Sequence, residues 1–354
     1  MFAASPRRTA RKRRRTRGDA SAPHVTVHFD TKYKSGHVNE ALEVKLVGGG
    51  LNWMPLCTRI ALGLGGYYSP LPEGSTISVT TREPGANCFE APVLVAEGQF
   101  HIGVTTPGWI GKLALEGRAP FTEPLPLRAL AQFTHDDRLV FAVRRETGIT
   151  SLADIKNKKY PLRVSTPIRK TNHPAVWCAE RVLEEYGFNF DDIEAWGGKV
   201  LVDRPRYMNV AGVAPASEEF EAIFDEAIMT KRWVNLTEKY DIRFLPIDDA
   251  VIARLEAKGW ERGIVPKGRF RGVDADVPGI DFSGWILFCR DDMDEELAYH
   301  TVRAIDEEKE RIDKYFGEGS AMTSRVDMRE IARNVTIPLH PGAEAYYREK
   351  GYLS

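Results

Sequence analysis

Cysteine is scarce in this 354-residue chain: Cys57, Cys88, Cys178 and Cys289 lie far apart, with no CxxC pair. That excludes a disulfide-stapled miniprotein, and no Cys or His stands at the spacing a metal centre requires. Long apolar runs are also missing, and nothing approaches the ~18 consecutive apolar residues of a membrane span. No GxSxG, HExxH, Walker loop or GxGxxG occurs, so the common hydrolase, metalloprotease and nucleotide-binding signatures are absent. No repeat is visible at ~20–50 residues. On these grounds neither a metal nor a cofactor is expected.

Net charge is nearly absent too, at −1, but the balance conceals two opposite parts. Residues 1–20 carry eight basic side chains against one acid, Asp19, while the remaining chain is acidic. The tail repels itself and has little apolar surface to bury, so residues 1–40 are expected to hold a disordered basic tail and a lead-in strand. A basic run can meet phosphate or anionic lipid. The body lacks zinc-finger spacing and its charge opposes phosphate, so nucleic acid is not expected as a partner. A secretory signal would need an apolar run of ~7–15 residues after the basic part. Here Gly18-Asp19-Ala20-Ser21-Ala22-Pro23-His24 follows, then alternating Val25-Thr26-Val27-His28-Phe29, which reads as a strand. No signal peptide is read in this chain.

What is present is an alternation of short apolar strands and helical patterns, the mark of an α/β fold on parallel sheets. Strands are expected at 43–47, 76–80, 100–104, 127–134, 138–143, 162–165, 220–224, 242–246 and 285–290. Helices are expected at 56–64, 89–97, 151–155, 175–186 and 294–315. The apolar strands at 138–143 and 285–290 bracket a second set of elements. This predicts two lobes, one formed by 40–140 plus 286–354 and the other by 141–285, with a hinge and a cleft between them.

Ligands in such sheets bind beyond the carboxyl ends of strands, where helix N-termini offer free N–H groups. The turns there are the candidate sites. Gly48-Gly49-Gly50-Leu51-Asn52-Trp53 follows the first strand; Asn52 can donate and accept, and Trp53 offers a ring face. Arg82 to Asn87 precede the second helix, and Thr105-Thr106-Pro107-Gly108 ends the third strand. Ser165-Thr166-Pro167-Ile168-Arg169-Lys170-Thr171-Asn172 joins a strand to a helix, and its hydroxyls and two cations suit a carboxylate or phosphate. His135-Asp136-Asp137 reads as a polar loop, Asp191-Asp192 as a helix-capping pair, and Asp225-Glu226 as part of a helix-like stretch. No catalytic residue emerges, and the pattern favours a binding protein over an enzyme.

Several stretches together resemble one family. They are the strand and glycine turn at 44–50, Thr81 through Asn87, and Ala96-Glu97-Gly98-Gln99-Phe100. Gly148-Ile149 with Ser151-Leu152-Ala153-Asp154-Ile155-Lys156-Asn157-Lys158 follows, and the most specific is Pro338-Leu339-His340-Pro341-Gly342-Ala343-Glu344-Ala345-Tyr346-Tyr347 with Glu349 and Gly351. From about Glu43 to the C-terminus the chain is similar to the TAXI solute-binding proteins of TRAP (tripartite ATP-independent periplasmic) transporters. The resemblance implies a Venus-flytrap fold, a periplasmic location, a TRAP permease as partner and a small organic acid or amino acid as ligand. It implies that Asn52, Trp53, Asn87 and Thr105 line one side of the cleft, and Thr166, Arg169, Lys170 and Thr171 the other. Arg82, Thr106 and Asn172 stand beside them. Where the family has Gly-Ser-Gly-Thr this chain has Ile168-Arg169-Lys170-Thr171, which predicts a more anionic carboxylate ligand. The alternative is a cytoplasmic enzyme on the same scaffold, similar to decarboxylases of aromatic acids, suggested by the cationic loop and by Trp196-Gly197-Gly198.

Overall fold

A computed structural model describes residues 41–48, 50–66, 70–81, 88–167, 173–201, 220–226, 231–316 and 325–354. In chain order the strands are β1 (Glu43–Val47), β2 (Thr76–Thr80), β3 (Ile102–Thr105), β4 (Leu127–Phe133), β5 (Arg138–Arg144), β6 (Arg163–Ser165), β7 (Lys199–Leu201), β8 (Ala222–Asp225), β9 (Ile242–Phe244), β10 (Arg262–Val265), β11 (Val277–Asp281) and β12 (Trp285–Arg290). The helices are α1 (Gly50–Leu64), α2 (Glu90–Ala96), α3 (Trp109–Glu116), α4 (Leu152–Asn157), α5 (Pro174–Glu185), α6 (Phe190–Ala195), α7 (Lys231–Lys239), α8 (Asp249–Ala257), α9 (Glu295–Phe316), α10 (Met328–Arg333) and α11 (Pro341–Glu349).

These strands build two sheets, giving the expected two-lobed α/β fold. The first has the order β2-β1-β3-β12-β4; the second runs β10-β11-β5-β8-β6-β7, with β9 also paired to β5. The chain passes from the first sheet to the second between Phe133 and Arg138, and returns between Asp281 and Trp285. Neither sheet is purely parallel, contrary to the sequence reading. β12 runs antiparallel to both β3 and β4, and β5 antiparallel to β8, β9 and β11. The reason is the double crossing: a chain that leaves one sheet and later returns enters each from the opposite end.

Local chemistry sets the elements. Ser151 accepts from the Asp154 N–H and Asp154 answers the cap, and Asn189 with Asp192 repeats the device. Each reciprocal cap satisfies donors that a helix start leaves open. Asp191 and Asp192 therefore sit inside the first turn of α6, with Asn189 as the capping residue. His173 and His340 cap α5 and α11, each followed by a proline whose missing N–H costs nothing there. The first lobe buries one face of its sheet against α1, α9 and α11, where Gly63 lets α1 close on Ala304 of α9. A second apolar cluster joins the opposite face, through α2 and α3, to α5, α6 and α8 of the other lobe. A single core therefore runs across the junction between lobes. All four cysteines are buried, as free thiols.

Candidate functional site

Strand register assembles the candidate site around the two crossings. Thr105 of β3 stands opposite Ile286, and Phe133 of β4 opposite Trp285, so the carboxyl ends of β3 and β4 meet the second crossing. In the other lobe Asp225 ends β8 opposite Val140, three residues from Asp137 of the first crossing. Ser165 pairs with Ile223, which sets Thr166 at the same end of the sheet. Thr105, Thr106, His135, Asp137, Ser165, Thr166 and Asp225 are all buried. Buried polar groups are exceptional unless bonded or functional, and seven collect at one edge.

The crossings are bolted together by hydrogen bonds. The Phe282 and Gly284 N–H groups donate to the Asp137 and His135 carbonyls at 3.0 and 2.9 Å. Arg138 Nη1 donates to Asp281 Oδ1 at 3.0 Å, to Ser283 Oγ at 2.8 Å and to Asp136 Oδ1 at 2.8 Å. Gly108 N–H reaches Ser283 O at 2.8 Å, and Trp109 Nε1 reaches Asp281 O at 2.8 Å. Gly284 has φ +82°, and a Cβ there would lie 2.7 Å from Gln132 Nε2, so glycine is required at this point of the second crossing.

His135 lies against the Trp285 ring, with centroids 4.9 Å apart, and its Nε2 stands 3.5 Å from Asp137 Oδ2. Burial pushes its pKa down to about 4, against the pull of Glu226 and Asp136, so the ring is neutral near pH 7. Glu226, from the second lobe, also acts on the Cys88 thiol of the first, which burial pushes up to about 12. Thr105 Oγ1 donates to the Cys88 carbonyl at 2.6 Å. Among the described residues, the buried Thr106 Oγ1, Thr166 Oγ1 and His135 Nδ1 find no hydrogen-bond partner.

Beyond the polar edge the lobes meet through aromatic rings. Phe121 packs on Phe89 at 6.4 Å, Phe89 on Trp177 at 5.2 Å, Trp177 on Trp260 at 5.4 Å and Trp260 on Trp109 at 4.9 Å. Phe89, Phe121 and Trp109 belong to the first lobe, Trp177 and Trp260 to the second. Each such contact is worth about 0.5–1.5 kcal/mol beyond its buried area. Gly259 adds close backbone approach, since a Cβ there would lie 2.8 Å from Leu113.

Of the residues singled out from sequence, Thr105, Thr106 and Thr166 come together at this edge. Trp53 lies in the first turn of α1 and packs against the apolar cores of the first lobe, half-buried rather than standing on a turn. Asn52 belongs to the same helix, with its side chain outside the description. Arg82, Asn87, Arg169, Lys170, Thr171 and Asn172 lie outside the described residues. Sequence reasoning missed His135, Asp137, Asp225 and Glu226. Asp225 closes a strand rather than standing in a helix, and the run Ala222-Ile223-Phe224 just before it was the available signal. His135-Asp136-Asp137 is a polar loop, as read, but it forms the interlobe crossing, with His135 and Asp137 buried; its place between two long apolar strands was the clue. Among the described residues no cluster of three or more His, Cys, Asp or Glu is arranged to hold a metal, and no helix is long and apolar enough to cross a membrane.

Several solved structures are similar in outline. XAC2383 from Xanthomonas citri bound to ATP is 12% identical over 89% of this chain and 100% of its own, with a TM-score of 0.44. A TctC solute binding protein from Polaromonas is 14% identical over 75% and 83%, with a TM-score of 0.40. The glycine/betaine/L-proline-binding protein ProX from Borrelia burgdorferi is 13% identical over 79% and 98%, with a TM-score of 0.39. At these scores none of them bears on what this chain binds. The family model does bear on identity: it matches residues 73–351, which includes both crossings, the strand ends of the site and the Pro341–Glu349 helix, and the chain belongs to the NMT1-like family.

Proposed function

We propose that the protein is a solute receptor that closes its two lobes around a small organic acid or amino acid and presents it to a membrane transporter. The observation that carries this reading is the set of partnerless polar atoms. The closed arrangement buries Thr106 Oγ1, Thr166 Oγ1 and His135 Nδ1 with no partner among the described residues, at about 1–3 kcal/mol each. A polar guest in a slightly wider cleft removes that cost, so closure is coupled to binding. The double crossing is a natural hinge for such a motion, because little else in the backbone links the sheets.

Resemblance to the TAXI proteins supports the finer reading: a TRAP permease as partner, a periplasmic working place and a carboxylate as ligand. In that reading Asn52, Trp53, Arg82, Asn87, Thr105 and Thr106 face the ligand from the first lobe. Thr166, Arg169, Lys170, Thr171 and Asn172 face it from the second, the two cations meeting its charge.

Native mass spectrometry of protein purified without denaturation tests the reading, together with a thermal-shift panel of mono-, di- and aromatic carboxylates and amino acids. A small acid released on unfolding, and a matching rise in Tm that the double variant Arg169→Ala with Lys170→Ala abolishes, are the expected results. If no member of the panel moves Tm and no small acid accompanies the protein, the receptor reading is wrong. A full Tm shift in the double variant would overturn the cationic assignment alone.

A further inference from the structure

We propose that the solute carries an O–H or N–H donor beside its carboxylate, and that His135 is the residue that selects it. This deepens the receptor reading and rests on it. His135 is 6% exposed and follows β4 two residues after Phe133, which pairs with Trp285. Thr105 pairs with Ile286 on the other side of β12, so Thr106 and His135 leave the sheet on either side of Trp285. Two neighbours fix the His135 ring. It lies on the Trp285 ring with centroids 4.9 Å apart, and its Nε2 stands 3.5 Å from Asp137 Oδ2. A carboxylate draws the proton of a neutral imidazole to the nearer nitrogen, so Nε2 carries the hydrogen and Nδ1 is left as a bare acceptor. Among the described residues Nδ1 finds no donor.

An acceptor buried in this way discriminates by chemistry. In the open form water serves Nδ1; closure removes the water, and the solute has to supply the donor. A carboxylate oxygen brought to Nδ1 sets lone pair against lone pair and leaves both unpaired. A hydroxyl or an ammonium group pairs with it. The threonines take the other end of the solute: Thr106 Oγ1 and Thr166 Oγ1, from opposite lobes, each have a hydrogen to give to a carboxylate. Charge around the ring is mixed, Glu226 and Asp136 against Arg138 and Arg232, so a hydroxyl and an ammonium group both suit it. A plain acid with neither group closes the lobes on an unpaired Nδ1 and binds more weakly for that reason.

Two triads of probes test this on the full chain by calorimetric titration: succinate, malate and aspartate, then phenylacetate, mandelate and phenylglycine. Within a triad only one substituent changes, from hydrogen to hydroxyl to ammonium. In the triad that fits the cleft, a substituted member should bind at least about tenfold more tightly than its plain parent, and the tighter of the two shows whether the donor is O–H or N–H. In His135→Phe, which keeps a ring on Trp285 but has no acceptor, that preference should vanish. A plain acid bound as tightly as its substituted partners overturns this inference and leaves the receptor reading standing, as does a co-purified acid that has no such donor. Silence from every probe, with no co-purified acid, overturns both. Nitrogen NMR of the histidine rings near neutral pH judges His135 without any ligand, its signal assigned by its loss in the variant. The Nε2–H tautomer is expected, and the Nδ1–H tautomer would overturn the inference whatever the titrations show.

Discussion

His135 is buried at the first crossing and titrates at about 4, far below an ordinary histidine, because the core penalises its charged form. In the unfolded chain the same ring takes up a proton near pH 6.5. The unfolded state thus binds more protons between pH 6.5 and 4, and folded stability falls as pH drops through that window. The full effect, reached near pH 4, is about 3 kcal/mol. A His135→Gln variant, which cannot titrate, should show a flatter fall between pH 6.5 and 4.5 in urea midpoints; parallel curves for variant and parent would refute the assignment. At the same scale, Ser151 holds α4 with one hydroxyl, and Ser151→Ala should lower stability by about 1 kcal/mol with no change in m-value.

The row of rings between the lobes acts as a latch at the level of whole elements. Trp260 follows α8 and sits between Trp177 of α5 and Trp109 of α3, so it ties three helices from both lobes. Trp260→Ala removes two ring contacts and leaves a cavity, at about 3–5 kcal/mol. Because each lobe has its own sheet, the loss should fall on closure more than on folding. Small-angle scattering should report a larger radius of gyration for the variant, while far-ultraviolet circular dichroism stays unchanged. A variant as compact as the parent would show that the rings do not govern closure. The second crossing is equally sensitive: Gly284→Ala combines a positive φ with a Cβ 2.7 Å from Gln132, which itself accepts from the Thr336 N–H and hydroxyl at 3.1 and 3.0 Å. Its Tm should drop even though only one methyl group has been added.

For the molecule as a whole, much of the strand and helix order was legible because alternation and helical spacing mark elements with one buried side. Strands at 43–47, 76–80 and 285–290 were placed to the residue. Short β7, β10 and β11 escaped: they are three to five residues long, and β10 and β11 carry glycine or proline. Sheet polarity escaped too, since no local pattern records which end of a sheet a distant strand enters. At the site, threonines after strands were visible from sequence, because each is local to one turn. His135, Asp137 and Asp225 were not, for their importance arises only when the 144 residues from Arg138 to Asp281 bring the two crossings together.

That topology also dictates an order of assembly during synthesis. β12 lies between β3 and β4, and β4 pairs with no other strand of its sheet. Until residues 285–290 emerge, the first lobe has a gap in the middle of its sheet, while every strand of the second sheet has already been made. The inserted lobe is therefore able to mature first, and the enclosing lobe closes around it afterwards. Nascent chains stalled with Asp281 just outside the ribosome and Trp285 still inside its exit tunnel should resist protease from about Arg138 to Asp281 and be cut readily before it. Chains released past Ser354 should be protected in both parts.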